Sequence, residues 1–146
     1  MRNIATESVI AGTFGALAMM PVGFIFRAAD MRVGHYGPKF AELYLTAPGP
    51  TALFVQHIIL GWLSALPITL APLHTMSTLL ALGLGAMYGS IYYVLVNALA
   101  LPFYFGDALP WNLGLAVVIP SLVVHITFGA AVAFAAQQWR RRRGAA

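Results

Sequence analysis

"LSALPITLAPLHTMSTLLAL" (residues 63–82) is the stretch that decides how this chain folds. It lies inside a run of 64 residues, 43–106, that contains no Asp, Glu, Lys or Arg. One continuous helix of that length would measure about 96 Å, roughly three times the ~30 Å hydrocarbon thickness of a bilayer. Because Pro67 and Pro72 interrupt helical hydrogen bonding, the run is predicted to turn back here, with His74 near the turn.

The composition of the whole chain is typical of a membrane protein. Hydrophobic residues make up 60% of it and charged residues 8%, against about 25% charged in a soluble domain. A second charge-free run covers residues 108–139. Spanning chain must satisfy its own backbone hydrogen bonds, which leaves helices or a closed barrel. The runs are continuous in Leu, Ala, Gly and Val rather than alternating, so helices are predicted.

The prediction is therefore an all-α membrane protein, a four-helix transmembrane bundle that forms a single domain over residues 1–146. Its spans are expected at about residues 8–26, 51–70, 77–101 and 112–139. Asn3 or Thr6 is expected to cap the first helix. In the first loop, "GPKFAELYL" (residues 37–45) predicts a short interfacial helix with Phe40, Leu43 and Tyr44 on one face.

The basic residues indicate the orientation, because cytoplasmic segments carry an excess of Lys and Arg. Four spans place both termini on one side, with Arg2 and the tail cluster, and Arg27, Arg32 and Lys39 on the other side. Both termini are therefore predicted to be cytoplasmic. The tail cluster is expected to set this topology and to contact anionic lipid rather than nucleic acid. Its members are Arg140, Arg141, Arg142 and Arg143.

Two histidines interrupt the apolar runs, and each is followed four residues later by glycine. His57 precedes Gly61 and His125 precedes Gly129. Small residues at helical spacing let membrane helices approach closely. Three such stripes are expected to face one another, with both histidines inward at similar depth. The stripes are His57, Gly61, Ser64 and Ala65; Gly85, Gly89, Tyr93 and Asn97; and Ser121, His125, Gly129 and Ala133.

Inward histidines need hydrogen-bond partners, and Ser64, Tyr93, Asn97 and Ser121 are the polar pocket candidates. In the simplest interpretation the neutral imidazoles only hold the helices together. A second interpretation is a haem or other tetrapyrrole site, with His57 and His125 as axial ligands and the glycines making room for the macrocycle. A third is a small proton or solute conduit, since histidine changes charge near pH 6.5 when solvated.

An enzyme is not predicted. The chain has no cysteine, which excludes thiolate catalysis and Cys-ligated metal. An intramembrane hydrolase would need Ser64, Ser90 or Ser121 beside a histidine, but "YGSIY" lacks the pattern of a nucleophile elbow. There is no HExxH and no phosphate-binding loop, and no metal site is predicted.

From His57 onward, over about the last two-thirds of the chain, the order of short motifs resembles the YagU-type bacterial inner-membrane proteins. The matching stretches are "HIIL" (57–60), "GAMYG" (85–89), "VNALALP" (96–102), "LPWN" (109–112) and "VHITFG" (124–129). The resemblance implies a small multispan protein of a bacterial inner membrane, associated with acid or membrane stress and without established chemistry. From the whole sequence, we expect this chain to be free-standing, self-associated or an accessory subunit of a larger membrane complex.

Overall fold

The computed structural model describes residues 3–34 and 36–144, and among them it has helices and no strand. Arg2 lies outside the described residues. The helices are α1 (Ile4–Ala28), α2 (Tyr36–Ala41), α3 (Pro50–Thr69), α4 (Thr78–Phe105) and α5 (Leu115–Gly144). All but α2 are long and apolar enough to cross a membrane. The predicted all-α four-helix bundle is confirmed, and the chain is a multi-pass membrane protein.

The predicted cap of the first helix and the predicted turn are also present. Asn3 Oδ1 accepts a hydrogen bond of 3.1 Å from the Thr6 amide, so Asn3 is the cap of α1. Ser77 Oγ accepts from the Leu80 amide at 3.2 Å and caps α4 in the same way. The α3 helix ends at Thr69, and a 3₁₀ turn follows at Leu73–Thr75. This is where the break was predicted from Pro67 and Pro72.

The last two spans differ in length from their predictions. The α4 helix continues to Phe105 through a π-helical segment, Tyr93–Ala100, in which the Leu101 amide bonds back to the Val96 carbonyl. A proline ring normally clashes with the carbonyl four residues earlier, and we attribute the passage through Pro102 to this wider turn. The α5 helix begins only at Leu115, after Gly114 at φ 98°, and runs on through the arginine cluster.

Close contacts between small residues order the helices in space as α3, α1, α5, α4. The α1 helix packs between α3 and α5, and α5 packs between α1 and α4. A Cβ atom added at Gly12 would lie 2.5 Å from the Gly61 carbonyl oxygen, and one at Gly85 would lie 2.7 Å from the Ala133 Cβ. The backbones of α3 and α4 stay apart.

The predicted contact between the α4 and α5 stripes is present, but the α3 stripe does not join them. The α3 stripe packs on α1 through Gly61, and the α4 stripe packs on α5 through Gly85 and Gly89. The reason is that α1 presents a small-residue stripe of its own. This stripe packs on the α3 stripe, in the position where the stripes of α4 and α5 were expected. Its buried members are Ser8, Ala11, Gly12, Gly15 and Ala16.

The short helix α2 is docked on the end of the bundle away from the termini, called here the distal end. Lys39 Nζ lies 2.7 Å from both carboxylate oxygens of Asp107 in the α4–α5 loop. The ring of Tyr36 stacks on that of Phe105, with centroids 5.8 Å apart. Burial and the neighbouring Asp107 carboxylate raise the pKa of Tyr36 to about 12. Gln56 Nε2 completes the contact by donating to a carbonyl of α2 at 2.9 Å.

Candidate functional site: an intramembrane polar cluster and a lateral groove

His125 lies at the centre of a polar cluster inside the span. Its Nδ1 donates to the Ser121 carbonyl oxygen at 2.6 Å, and its Nε2 accepts from Asn97 Nδ2 at 2.9 Å. Because a carbonyl only accepts, these contacts correspond to the neutral tautomer with its proton on Nδ1. The imidazole is stacked on Tyr92, with centroids 5.8 Å apart, and lies beside Tyr93 at 5.7 Å.

His57 bonds to a different helix. Its Nε2 donates to the Ala16 carbonyl oxygen of α1 at 3.0 Å. The ring nitrogens of the two histidines point at different partners, one on α1 and the other on α4. Each histidine therefore acts as a link between two helices.

These contacts do not fit a haem or other tetrapyrrole. Axial ligation normally uses Nε2, and this atom of each histidine is already engaged with a protein group. The glycines leave no slot either. A Cβ at Gly61 would lie 2.9 Å from the Ala16 Cβ, and one at Gly129 would lie 2.8 Å from the Gly89 nitrogen. The space expected for a macrocycle is filled by neighbouring helices.

A second set of hydroxyl groups joins α3 to α4. Ser64 Oγ donates to the Tyr92 hydroxyl at 2.8 Å, and the Tyr88 hydroxyl donates to the Ser64 carbonyl. Ser64 thus contacts tyrosines and not a histidine. Tyr88 was missed as a site residue, although its spacing of four from Tyr92 places both on one face of α4.

Of the four predicted pocket residues, the structure brings three to His125. Asn97 contributes its amide, Ser121 its backbone carbonyl and Tyr93 the face of its ring. The Tyr93 side chain is only 4% exposed, and within residues 3–34 and 36–144 its hydroxyl has no hydrogen-bond partner.

An open groove separates α3 from α4 beside this cluster. It has a volume of about 370 Å³. Its polar floor is formed by Ser64, Tyr88 and Tyr92. The walls are apolar and consist of Leu60, Leu63 and Pro67 of α3 with Ile91, Leu95 and Val96 of α4. The groove therefore opens sideways, within the membrane-spanning segments.

At the end of the bundle that holds the termini, a buried ion pair joins α1 to α5. Arg140 Nε donates to Glu7 Oε1 at 2.7 Å, and the two side chains are 9% and 2% exposed. Arg140 also donates to the Ala71 carbonyl at 2.5 Å and to the Thr69 carbonyl, where α3 ends. Arg140 thus differs from the expectation of a lipid contact, because its guanidinium is turned inward.

The rest of the arginine cluster stays nearer the surface. Arg141 donates to the Met76 carbonyl at 2.9 Å, and the Arg143 guanidinium lies 4.4 Å from the centroid of the Trp139 ring. The side chain of Arg142 is exposed. Contact with anionic lipid stays a prediction for these three residues.

Two other chemistries find little support in the described part of the chain. No serine hydroxyl there bonds to a histidine ring, and Ser90 Oγ donates to the Ala86 carbonyl at 2.9 Å. No three His, Asp or Glu residues of residues 3–34 and 36–144 are grouped as a metal site. Between His125 and Arg140, the buried side chains of α5 are apolar until Gln137. They are Phe128, Val132, Ala133 and Ala136.

No protein-family model, curated protein or solved structure matches this chain. Its own fold and composition therefore define its class, which is a multi-pass helical membrane protein with a polar cluster inside the bundle. The similarity to YagU-type proteins stays a prediction.

Proposed function

We propose that the chain is a small binding protein of a bacterial inner membrane, with both termini in the cytoplasm and no catalytic activity of its own. It works free-standing or as an accessory subunit of a larger membrane complex, in a process linked to acid or membrane stress. The observation that carries the proposal is the open groove between α3 and α4.

The arrangement of the helices supports a binding role. Contacts between small residues hold α3 on α1, α1 on α5 and α5 on α4, and only side chains cross from α3 to α4. A lipid-soluble partner can enter this gap from the bilayer without passing through water. The half-buried histidines link helices instead of presenting a free nucleophile or base, which favours a scaffold over an enzyme.

A test of the binding role uses the absence of native cysteine. A single cysteine at Leu95 lies in the groove, whereas one at Val94, one residue away and 43% exposed, provides a control at nearly the same depth. Both variants are labelled with a bimane fluorophore in native membrane vesicles that contain nitroxide lipids. We expect weaker quenching at position 95 than at 94, because an occupant excludes lipid from the groove. Equal quenching would mean that ordinary lipid fills it, and the binding role would be wrong.

The orientation rests on the basic tail and has its own test. Alkaline phosphatase folds only outside the cytoplasm, whereas green fluorescent protein fluoresces inside it. Fused after residue 146, the first should be inactive and the second fluorescent. The opposite pair of results would reverse the orientation.

A further inference from the structure

We propose that the α3–α4 groove binds an uncharged lipophilic molecule whose flat ring carries a carbonyl group, that is, a molecule of the quinone class. The Tyr92 hydroxyl donates to the carbonyl oxygen, and the apolar tail of the ligand lies between Leu63 and Leu95. This inference rests on the proposed function, because it names the ligand class for the same groove.

The hydrogen bonds at the floor of the groove leave one donor available. One hydrogen bond of 2.8 Å joins the Ser64 and Tyr92 hydroxyls, so it uses only one of their two protons. The other proton has no acceptor within the described residues, and with Ser64 as the donor it is the proton of Tyr92. A polar donor inside a membrane gains from an acceptor, since no water is present to supply one. A ligand with a carbonyl oxygen at this point supplies that acceptor.

The depth of Tyr92 selects the kind of carbonyl. Tyr92 is 14 residues after the start of α4 and 13 before its end, which places it about 20 Å from either end of the helix. Phospholipid ester groups lie at the edges of a hydrocarbon core about 30 Å thick, so they are about 15 Å from its middle. An ester carbonyl that remains attached to a charged headgroup does not reach Tyr92. A neutral ring on a hydrocarbon tail does.

The walls of the groove fit the same ligand. No charged residue lines the groove, so a neutral molecule is favoured. The Tyr88 and Tyr92 rings, with centroids 6.2 Å apart, offer aromatic surface to a flat ring. The volume of about 370 Å³ falls within the range of small-molecule sites, which is about 300–1,000 Å³.

The test uses the purified protein in nanodiscs made from quinone-free phosphatidylcholine, titrated with decylubiquinone. Bound quinone is measured after rapid removal of excess ligand, and empty nanodiscs give the background of simple partitioning. We expect saturable binding of about one quinone per chain, because each chain offers one α3–α4 groove. Tyr92→Phe removes only the hydroxyl and should weaken binding about fivefold, as expected for one hydrogen bond. Tyr104→Phe, at an exposed tyrosine outside the groove, is the matched control and should bind like the wild type.

A second variant tests the location. Leu63 is 58% exposed, so Leu63→Trp should fill the groove without disturbing the packed helices, and it should abolish saturable binding. Binding that is not saturable, or that is the same in all variants, would overturn the inference. Displacement of quinone by an equal amount of dioleoylglycerol would overturn it too, because the groove would then be a lipid site. If quinone fails to bind while position 95 remains shielded from nitroxide lipid, only this inference fails and the binding role stands.

Discussion

The ion pair between Glu7 and Arg140 leads to the sharpest prediction about stability. Glu7 is in the first helical turns of α1 and Arg140 is near the end of α5, so the pair joins the two ends of the chain. Both side chains are nearly inaccessible, at 2% and 9% exposed. Replacing Glu7 by methionine keeps most of the volume but removes the carboxylate that faces the guanidinium.

The magnitude follows from what Arg140 retains. In Glu7→Met the guanidinium keeps its bonds to the Ala71 and Thr69 carbonyls but loses its counter-ion. Removing one member of a buried pair typically costs about 3–5 kcal/mol. In the double variant Glu7→Met/Arg140→Met no buried charge remains, and the main loss is the donor to the carbonyls at the end of α3. The double variant should therefore cost less than the sum of the two single variants.

The assay is reversible unfolding in mixed micelles with increasing SDS, followed by far-UV circular dichroism. Arg142→Met is the matched control, since Arg142 is an exposed arginine of the same cluster, and it should change the free energy of unfolding by less than about 0.5 kcal/mol. If Glu7→Met destabilised the protein no more than Arg142→Met does, the pair would not be a buried contact. Additive single variants would likewise show that the two residues are not coupled.

Three further predictions concern the helix contact and the distal end. Gly89→Leu should destabilise the monomer by about 1–3 kcal/mol or more, because a Cβ there would lie 2.8 Å from the His125 carbonyl carbon. Gly83→Leu is the control, since a Cβ at Gly83 meets open space. Loss of a dimer while the monomer stays stable, measured by size exclusion, would contradict this prediction. Because the pKa of Tyr36 is raised from 10.0 to about 12, its contribution is complete below pH 10 and is lost as pH rises through 12. Between pH 10 and pH 12 the wild type should thus lose about 2 kcal/mol more unfolding free energy than Tyr36→Phe, and equal losses would exclude the shift. Asp107→Asn should lower the free energy of unfolding by less than about 1 kcal/mol, since its ion pair with Lys39 is partly exposed. It should nevertheless increase proteolysis of the first loop. Unchanged cleavage would mean that the pair does not hold α2.

Much of the fold could be predicted because it depends on local properties of the chain. Long charge-free runs require spanning helices wherever water is absent, and prolines at 67 and 72 prevent one helix from continuing. The caps at Asn3 and Ser77 likewise depend on residues only three apart. For the site, the sequence indicated that His125, Asn97 and Ser121 lie together. Ser121 precedes His125 by four residues, so helical spacing places both on one face of α5.

The exact length of α4 could not be predicted, because proline in a helix has two outcomes. Either the helix ends before it, or a wider turn carries the helix past it, and only the surroundings decide. Here the last residue of the longer helix, Phe105, stacks on Tyr36 of α2. This tertiary contact is present only when α4 continues past Pro102.

By itself, the amino-acid sequence determined the class of the protein, the number of spans, the position of the turn between α3 and α4 and the inward placement of the histidines. The tertiary structure alone decided which surfaces meet. Whether Gly61 packs on α1 or on α5 depends on the order of helices in space, because a stripe of small residues fits any neighbouring helix that presents small residues too. The partners of Arg140 and Tyr92 are 133 and 28 residues away in the chain, at Glu7 and Ser64. Contacts at such separations depend on the packing of whole helices, and local sequence carries no signal for them.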